Sequence, residues 1–191
     1  MHPEKKYFSL NDVKNFQHRS DVIKLIKNNS IGVELGVAEG KFSESLLHTE
    51  RFTHLYSIDM WAGDRNHDTA QYKRALRRLL PFRDRNTTLR MTFDEALDLF
   101  PDEFFDFIYV DGYAHTGEEE GATFRNWWPK LKPGGVMAGD DYSPQWPRVI
   151  HAVDAFIADH QLDMAVLNFK SEDPWSQYPT WVTVKPLPEY K

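Results

Sequence analysis

Three aspartates in the second half of the chain carry the most chemistry. Asp111 ends a near-continuous apolar run from Phe104 to Gly112, and Asp140-Asp141 end a second run that begins at Val136. Open α/β sheets keep their chemistry at the carboxyl ends of strands. If the two runs are neighbouring strands, the three carboxylates converge, and oxygen donors from adjacent strand ends suit a hard divalent cation such as Mg²⁺. Such an ion has a use beside an alcohol, which is a poor nucleophile at neutral pH. Coordination orients the hydroxyl and eases its deprotonation. Asp140 and Asp141 also read as turn or helix-cap residues beside a Pro-containing loop. His115 follows Asp111 closely, and its ordinary titration range suits proton abstraction near neutrality.

A second constellation lies upstream. The β-prone run Ile31 to Val37 enters a glycine-bearing turn, Gly36 to Gly40, and an amphipathic segment with Phe42, Leu46 and Leu47 on one face follows. Strand, glycine turn and helix open a Rossmann-like nucleotide site. A Cβ at Gly36 or Gly40 would block close backbone approach or a left-handed turn. The spacing is Glu34-x-Gly36-x-x-x-Gly40 rather than G-x-G-x-x-G. A dinucleotide seats its pyrophosphate on helix N–H groups. Here Glu34 precedes the loop and Glu39 lies inside it, which suits a cationic or neutral ligand better and disfavours a nicotinamide-dependent oxidoreductase. Asp59 ends the next strand, His54 to Met60, about where nucleotide-binding folds place the acid that holds ribose hydroxyls. Met60 and Trp61 are candidates to flank a base, or are core.

The remaining elements must position these groups. The spacing predicts a helix with Tyr72, Ala75, Leu76, Leu79 and Leu80 as a core stripe, stopped by Pro81. Thr87 to Met91 reads as a short strand. Thr92-x-x-Glu95 reads as a capping box, so Thr92 is a helix cap first and a cofactor neighbour second. Phe104 to Gly112 suits the middle of a parallel sheet. A helix carrying Phe124, Trp127, Trp128 and Leu131 precedes the strand at Val136, and Pro147 to His160 forms another helix. Met164 to Phe169 and Trp181 to Val184 close the chain as two strands at an antiparallel edge. Seven strands alternate with helices until that last pair. Residues 1–29 form a polar, helical lead-in, with Ser9 a candidate cap, that packs on the sheet or covers the site; residues 30–191 form one domain.

Composition narrows the function classes. A chain of 191 residues with 41% apolar and 14% aromatic residues is globular. The net charge of -6 argues against broad nucleic-acid binding. Lys73 to Arg90 is locally basic and reads as a solvated face. With no cysteine, thiolate catalysis and disulfides are excluded. No apolar run reaches membrane-spanning length and no signal core follows the N-terminus, so a soluble, cytoplasmic protein with no membrane partner is expected, whether whole or a domain of a longer polypeptide.

Four stretches together resemble a known family: Val33 to Gly40, Ser57 to Trp61, Tyr109 to Gly112, and Trp128 to Tyr142 with its Leu-Lys-Pro-Gly-Gly turn. They resemble the class I S-adenosylmethionine (SAM)-dependent methyltransferases, specifically the methyltransferase-24 type, and are similar to metal-dependent sugar O-methyltransferases of the macrocin kind. The resemblance covers roughly residues 30 to 185. It implies a Rossmann-like α/β fold: a seven-stranded, mostly parallel sheet with one antiparallel strand in the edge region and helices on both faces. It implies SAM held by Glu34, Gly36, Val37, Gly40, Asp59, Met60, Thr92 and Asp111, and a divalent metal, Mg²⁺ above all, on Asp111, Asp140 and Asp141. At the position after Asp-Gly where the family has a carboxylate, this chain has Tyr113, which leaves His115, beside Asp111, as the catalytic base. The expected reaction is methylation of a sugar or glycan hydroxyl. The rivals are a metal-independent N- or O-methyltransferase and a non-catalytic SAM-binding domain of a larger glycan-building protein. The oligomeric state stays open. Trp61, Trp146 and Trp175 are weak candidates for stacking on sugar rings.

Overall fold

The computed structural model describes residues 13, 16, 18–63, 67–113, 116–167 and 178–188. Ser9, His115 and Trp175 lie outside the described residues. After a 3₁₀ helix at Arg19–Leu25, the chain runs β1 (Ser30–Leu35), α1 (Lys41–His48), β2 (Phe52–Asp59), α2 (Thr69–Leu79), β3 (Asn86–Arg90) and α3 (Phe93–Leu97). It continues β4 (Phe105–Val110), α4 (Gly117–Trp127), β5 (Leu131–Gly139), α5 (Pro147–Asp159), β6 (Met164–Leu167) and β7 (Thr180–Val184).

The seven strands form one sheet in the order β3-β2-β1-β4-β5-β7-β6. The first five are parallel, and β7 inserts antiparallel between β5 and the edge strand β6. Chain order reverses direction across the sheet between β1 and β4. That reversal is where parallel sheets open a crevice at their carboxyl ends.

β4 lies in the middle of the parallel part and every residue in it is buried. Its side chains alternate. Phe107 and Tyr109 pack with α1, α2 and the 3₁₀ helix, while Ile108 and Val110 pack with α3, α4 and α5. A fully buried large apolar side chain is worth about 1.5–3 kcal/mol, so this strand anchors both layers. Val22, Ile23, Leu25 and Ile26 are buried in the first layer, which ties the lead-in to the sheet.

Two expectations need correction. In α2, Ala75 and Leu79 are buried, but Leu76 and Leu80 are 40% and 61% exposed. Residues 72, 75 and 79 make the inward stripe. Residues 76 and 80 are each turned about 100° beyond 75 and 79, a consequence of 3.6 residues per turn, and face outward. The helix expected to carry Phe124, Trp127, Trp128 and Leu131 is also shorter: α4 ends at Trp127, Trp128 opens a 3₁₀ turn and Leu131 begins β5. The first residues of α4 are irregular. Gly117 to Gly121 all have positive φ, and a right-handed helix begins only after them.

Candidate active site

The glycine loop after β1 is built as its sequence requires. Gly36 has φ +97°, and a Cβ there would lie 2.0 Å from the Asp111 carbonyl oxygen. The Asp111 amide in turn donates to the Leu35 carbonyl at 2.7 Å. The ends of β1 and β4 can approach this closely only through glycine. Gly40, at φ +77°, starts α1 from the left-handed region.

Asp59 closes this loop from β2. Its Oδ2 accepts from the Val37 and Ala38 amides, each at 2.9 Å, and its Oδ1 accepts from the Trp61 amide at 3.1 Å. Trp61 is 1% exposed and donates its indole N–H to the Ala38 carbonyl, so it is a core brace. Asp59 therefore shapes the loop as well as facing the cleft. Each carboxylate oxygen accepts two bonds, which leaves Oδ1 one lone pair.

Glu34 sits beneath the loop, 1% exposed, and accepts a hydrogen bond from Ser43. Ser43, Ser57, Asn86 and Thr88 continue a buried polar chain across α1, β2 and β3. Burial drives the Glu34 pKa up to about 8, against the Ser43 hydrogen bond and Arg19. Burial thus favours the neutral form of Glu34, which does not line the cleft.

The cleft itself is lined by Gly36, Asp59, Met60, His67, Phe93, Asp111, Gly112 and Tyr113 and holds about 50 Å³. Small-molecule sites run roughly 300–1,000 Å³, so a nucleoside-sized ligand requires its rim to open. Four of the sequence-expected residues meet here: Gly36, Asp59, Met60 and Asp111. Thr92 caps α3 in a full capping box, accepting from the Glu95 amide at 3.1 Å while Glu95 accepts from the Thr92 amide at 2.8 Å. His67, Phe93 and Tyr113 were not expected as lining. Phe93 opens α3 and His67 lies just before α2, and the closed fold brings both to the cleft.

At the ends of β4 and β5 the carboxylates meet a partner that sequence patterns did not supply. Arg19 Nη1 donates to Asp111 Oδ2 and to Asp140 Oδ2, each at 2.9 Å. The Arg19 side chain is 12% exposed and stacks 4.3 Å from the Phe42 ring centroid. Thr180 donates to Asp140 Oδ1 at 3.3 Å. Burial opposes the charge on Arg19, but Asp111, Tyr109 and Asp140 together hold its pKa above the ordinary value. Asp111 and Asp140 are themselves pushed up by burial, with Arg19 pulling them down. Asp141, in the left-handed region at φ 64°, is raised to about 7 by burial and by Asp111.

Three hard-oxygen acids at adjacent strand ends have the chemistry of a divalent-cation site. As folded they do not have its geometry. A guanidinium fills the place between Asp111 and Asp140, and no cluster of three acidic or imidazole groups able to hold a metal forms among the described residues. Separately, a groove of about 610 Å³ opens between the start of α4 and the first turns of α5. Thr116, Glu120, Arg148 and His151 supply its polar groups.

Residues 33–142 match the model of a methyltransferase domain. A protein of Sinorhizobium fredii named only as uncharacterized protein y4gI is 30% identical over 114 residues, 58% of this chain. The match takes in 12% of that protein's own length. Among solved structures, a putative O-methyltransferase from Klebsiella pneumoniae is similar at TM-score 0.68 and 14% identity, covering 96% of this chain and 83% of that one. The N-methyltransferase NodS from Bradyrhizobium japonicum, known also in complex with S-adenosyl-l-homocysteine, is similar at TM-score 0.63 and 18% identity, covering 86% and 89%. At these identities the structures establish the fold. The match over more than half of the chain, with this strand order and a glycine loop at the β1–β4 reversal, places the chain in the methyltransferase domain family, with the class I methyltransferase fold.

Proposed function

We propose that the chain transfers the methyl group of SAM to a hydroxyl of a sugar or glycan. The observation that carries the cofactor assignment is the Gly36 loop, clamped by Asp59 at the crevice where the sheet reverses. When bound, SAM supplies a methyl carbon made electrophilic by its sulfonium. Gly36, Asp59 and Met60 would hold it, with Asp111 toward the sulfonium and the acceptor. A cleft lined by Asp59 and Asp111 favours a cationic ligand, and NodS, of the same fold, is known with the demethylated product. The chain's own part is to align acceptor oxygen and methyl carbon and to exclude water, which supplies most of the acceleration in such displacements. The proton leaving the acceptor goes to His115 in this reading.

The acceptor assignment is supported by the groove between α4 and α5, the helices that follow β4 and β5, whose size suits a small molecule and whose Thr116, Glu120, Arg148 and His151 suit a hydroxyl-rich one. A metal-assisted version is favoured by the three acids at the β4 and β5 ends, and the Arg19 ion pairs count against it.

Titration calorimetry with S-adenosyl-l-homocysteine tests the cofactor, and transfer of labelled methyl from SAM to sugars, phenols and amines tests the acceptor. Binding with transfer to sugars is expected. Absence of binding would sink the assignment, and transfer only to amines would replace the sugar hydroxyl.

A further inference from the structure

We infer that Arg19 is the built-in cation of the acceptor half of the cleft, occupying the position between Asp111 and Asp140 that a divalent ion would otherwise take. The inference rests on the methyl-transfer reading for its consequence, a reaction that needs no metal, but not for its geometry.

One nitrogen, Nη1, lies 2.9 Å from an oxygen of each acid. A metal ion bridging the same two oxygens would need the same space. The guanidinium is permanently charged and brings its own hydrogen bonds, so its single positive charge faces both carboxylates and balances one of them.

The placement is also built rather than incidental. Arg19 begins the 3₁₀ helix whose Val22, Ile23 and Leu25 are buried. Its guanidinium is stacked on Phe42 of α1, the helix that follows the glycine loop. Val22 and Phe42 belong to the same buried cluster, so the backbone and the head of this arginine are fixed by one packing unit. A long side chain merely folded over an acidic surface would lack that second hold. Asp141 remains outside the pair, so removing the arginine leaves Asp111 and Asp140 facing each other without a cation.

The test is Mn²⁺ binding to the intact chain, read from the loss of the free-ion paramagnetic resonance signal, with homocysteine-adduct binding measured on the same samples. Wild type is expected to bind no Mn²⁺ up to about 1 mM, the weak end of biological dication sites. Arg19→Gln, which keeps hydrogen-bond donors and loses the charge, is expected to gain one site at least about tenfold tighter than wild type. Arg19→Gln/Asp140→Asn should lose that gain. If wild type binds one Mn²⁺ and Asp140→Asn abolishes it, Arg19 yields its place to metal and the inference falls. It falls equally if folded Arg19→Gln binds no more Mn²⁺ than wild type. Should Arg19→Gln fail to fold, Arg19→Lys replaces it: a chain that still excludes Mn²⁺ supports the inference, and one that binds it overturns it. Loss of adenosylhomocysteine binding in wild type would instead strike the cofactor reading, leaving the Mn²⁺ result to stand by itself.

Discussion

At the ends of β1 and β2, Asp59 takes hydrogen bonds from three main-chain amides, all within 22 residues of it. At the ends of β4 and β5, Asp111 and Asp140 share one side-chain nitrogen that comes from 92 and 121 residues away. The first acid is satisfied by the loop it shapes, and the other two by a distant charge. Local geometry can therefore be read from local spacing, while charge compensation across the cleft depends on the whole fold.

The largest break is expected where the two halves touch. Gly36→Ala forces a Cβ to within 2.0 Å of the Asp111 carbonyl oxygen at a φ of +97°. Both partners are backbone, so relief requires β1 and β4 to part. A loss of at least about 4 kcal/mol, the range reserved for such strain, should appear in chemical unfolding, together with loss of adenosylhomocysteine binding.

Glu34→Gln comes next, and its sign depends on pH. The folded-state pKa of Glu34, about 8, lies above its ordinary value of 4.5. Its contribution to stability is whole below 4.5 and is lost as pH rises through 8. Glutamine keeps an acceptor for Ser43 and carries no charge to bury. The variant should match wild type near pH 5 and exceed it at pH 8 by on the order of 3 kcal/mol. Equal pH slopes in the two proteins would show that Glu34 is ionised when folded.

Asp59→Ala should cost about 2 kcal/mol, since the Val37 and Ala38 amides lose a common acceptor. It should also weaken adenosylhomocysteine binding more than its stability loss at the assay temperature accounts for. Unchanged affinity would make Asp59 a loop clamp alone. Thr92→Ala is the smallest: about 1 kcal/mol, as for other lost N-caps, with cofactor affinity unchanged. A fall in affinity without a fall in stability would reassign Thr92 to the cofactor.

The parts of the site legible in the sequence were those whose constraint is short-range. Gly36 and Gly40 announce left-handed backbone because only glycine tolerates it cheaply, and the Thr92–Glu95 capping box is written in four residues. The seven strands and the antiparallel last pair followed from the alternation of strand and helix patterns, whereas their order in the sheet came only with the fold. Arg19 was not legible. An arginine in a polar lead-in has no periodicity or turn chemistry to mark it, and its meaning comes only from meeting Asp111, Asp140 and Phe42 in space. Leu76 and Leu80 were misread for a related reason. Helical spacing marks a stripe, but only the packed sheet decides which edge of it is covered.

The long reach of Arg19 also sets an order of events in folding. Its partners are made 92 and 121 residues later in synthesis and sit on strands that must first pair with their neighbours. Contacts of such sequence separation form slowly, because loop closure precedes any reward. The segment that carries Arg19 is thus expected among the last to find its place. Until it docks, Asp111 and Asp140 at the ends of β4 and β5 lack the cation they share in the folded chain.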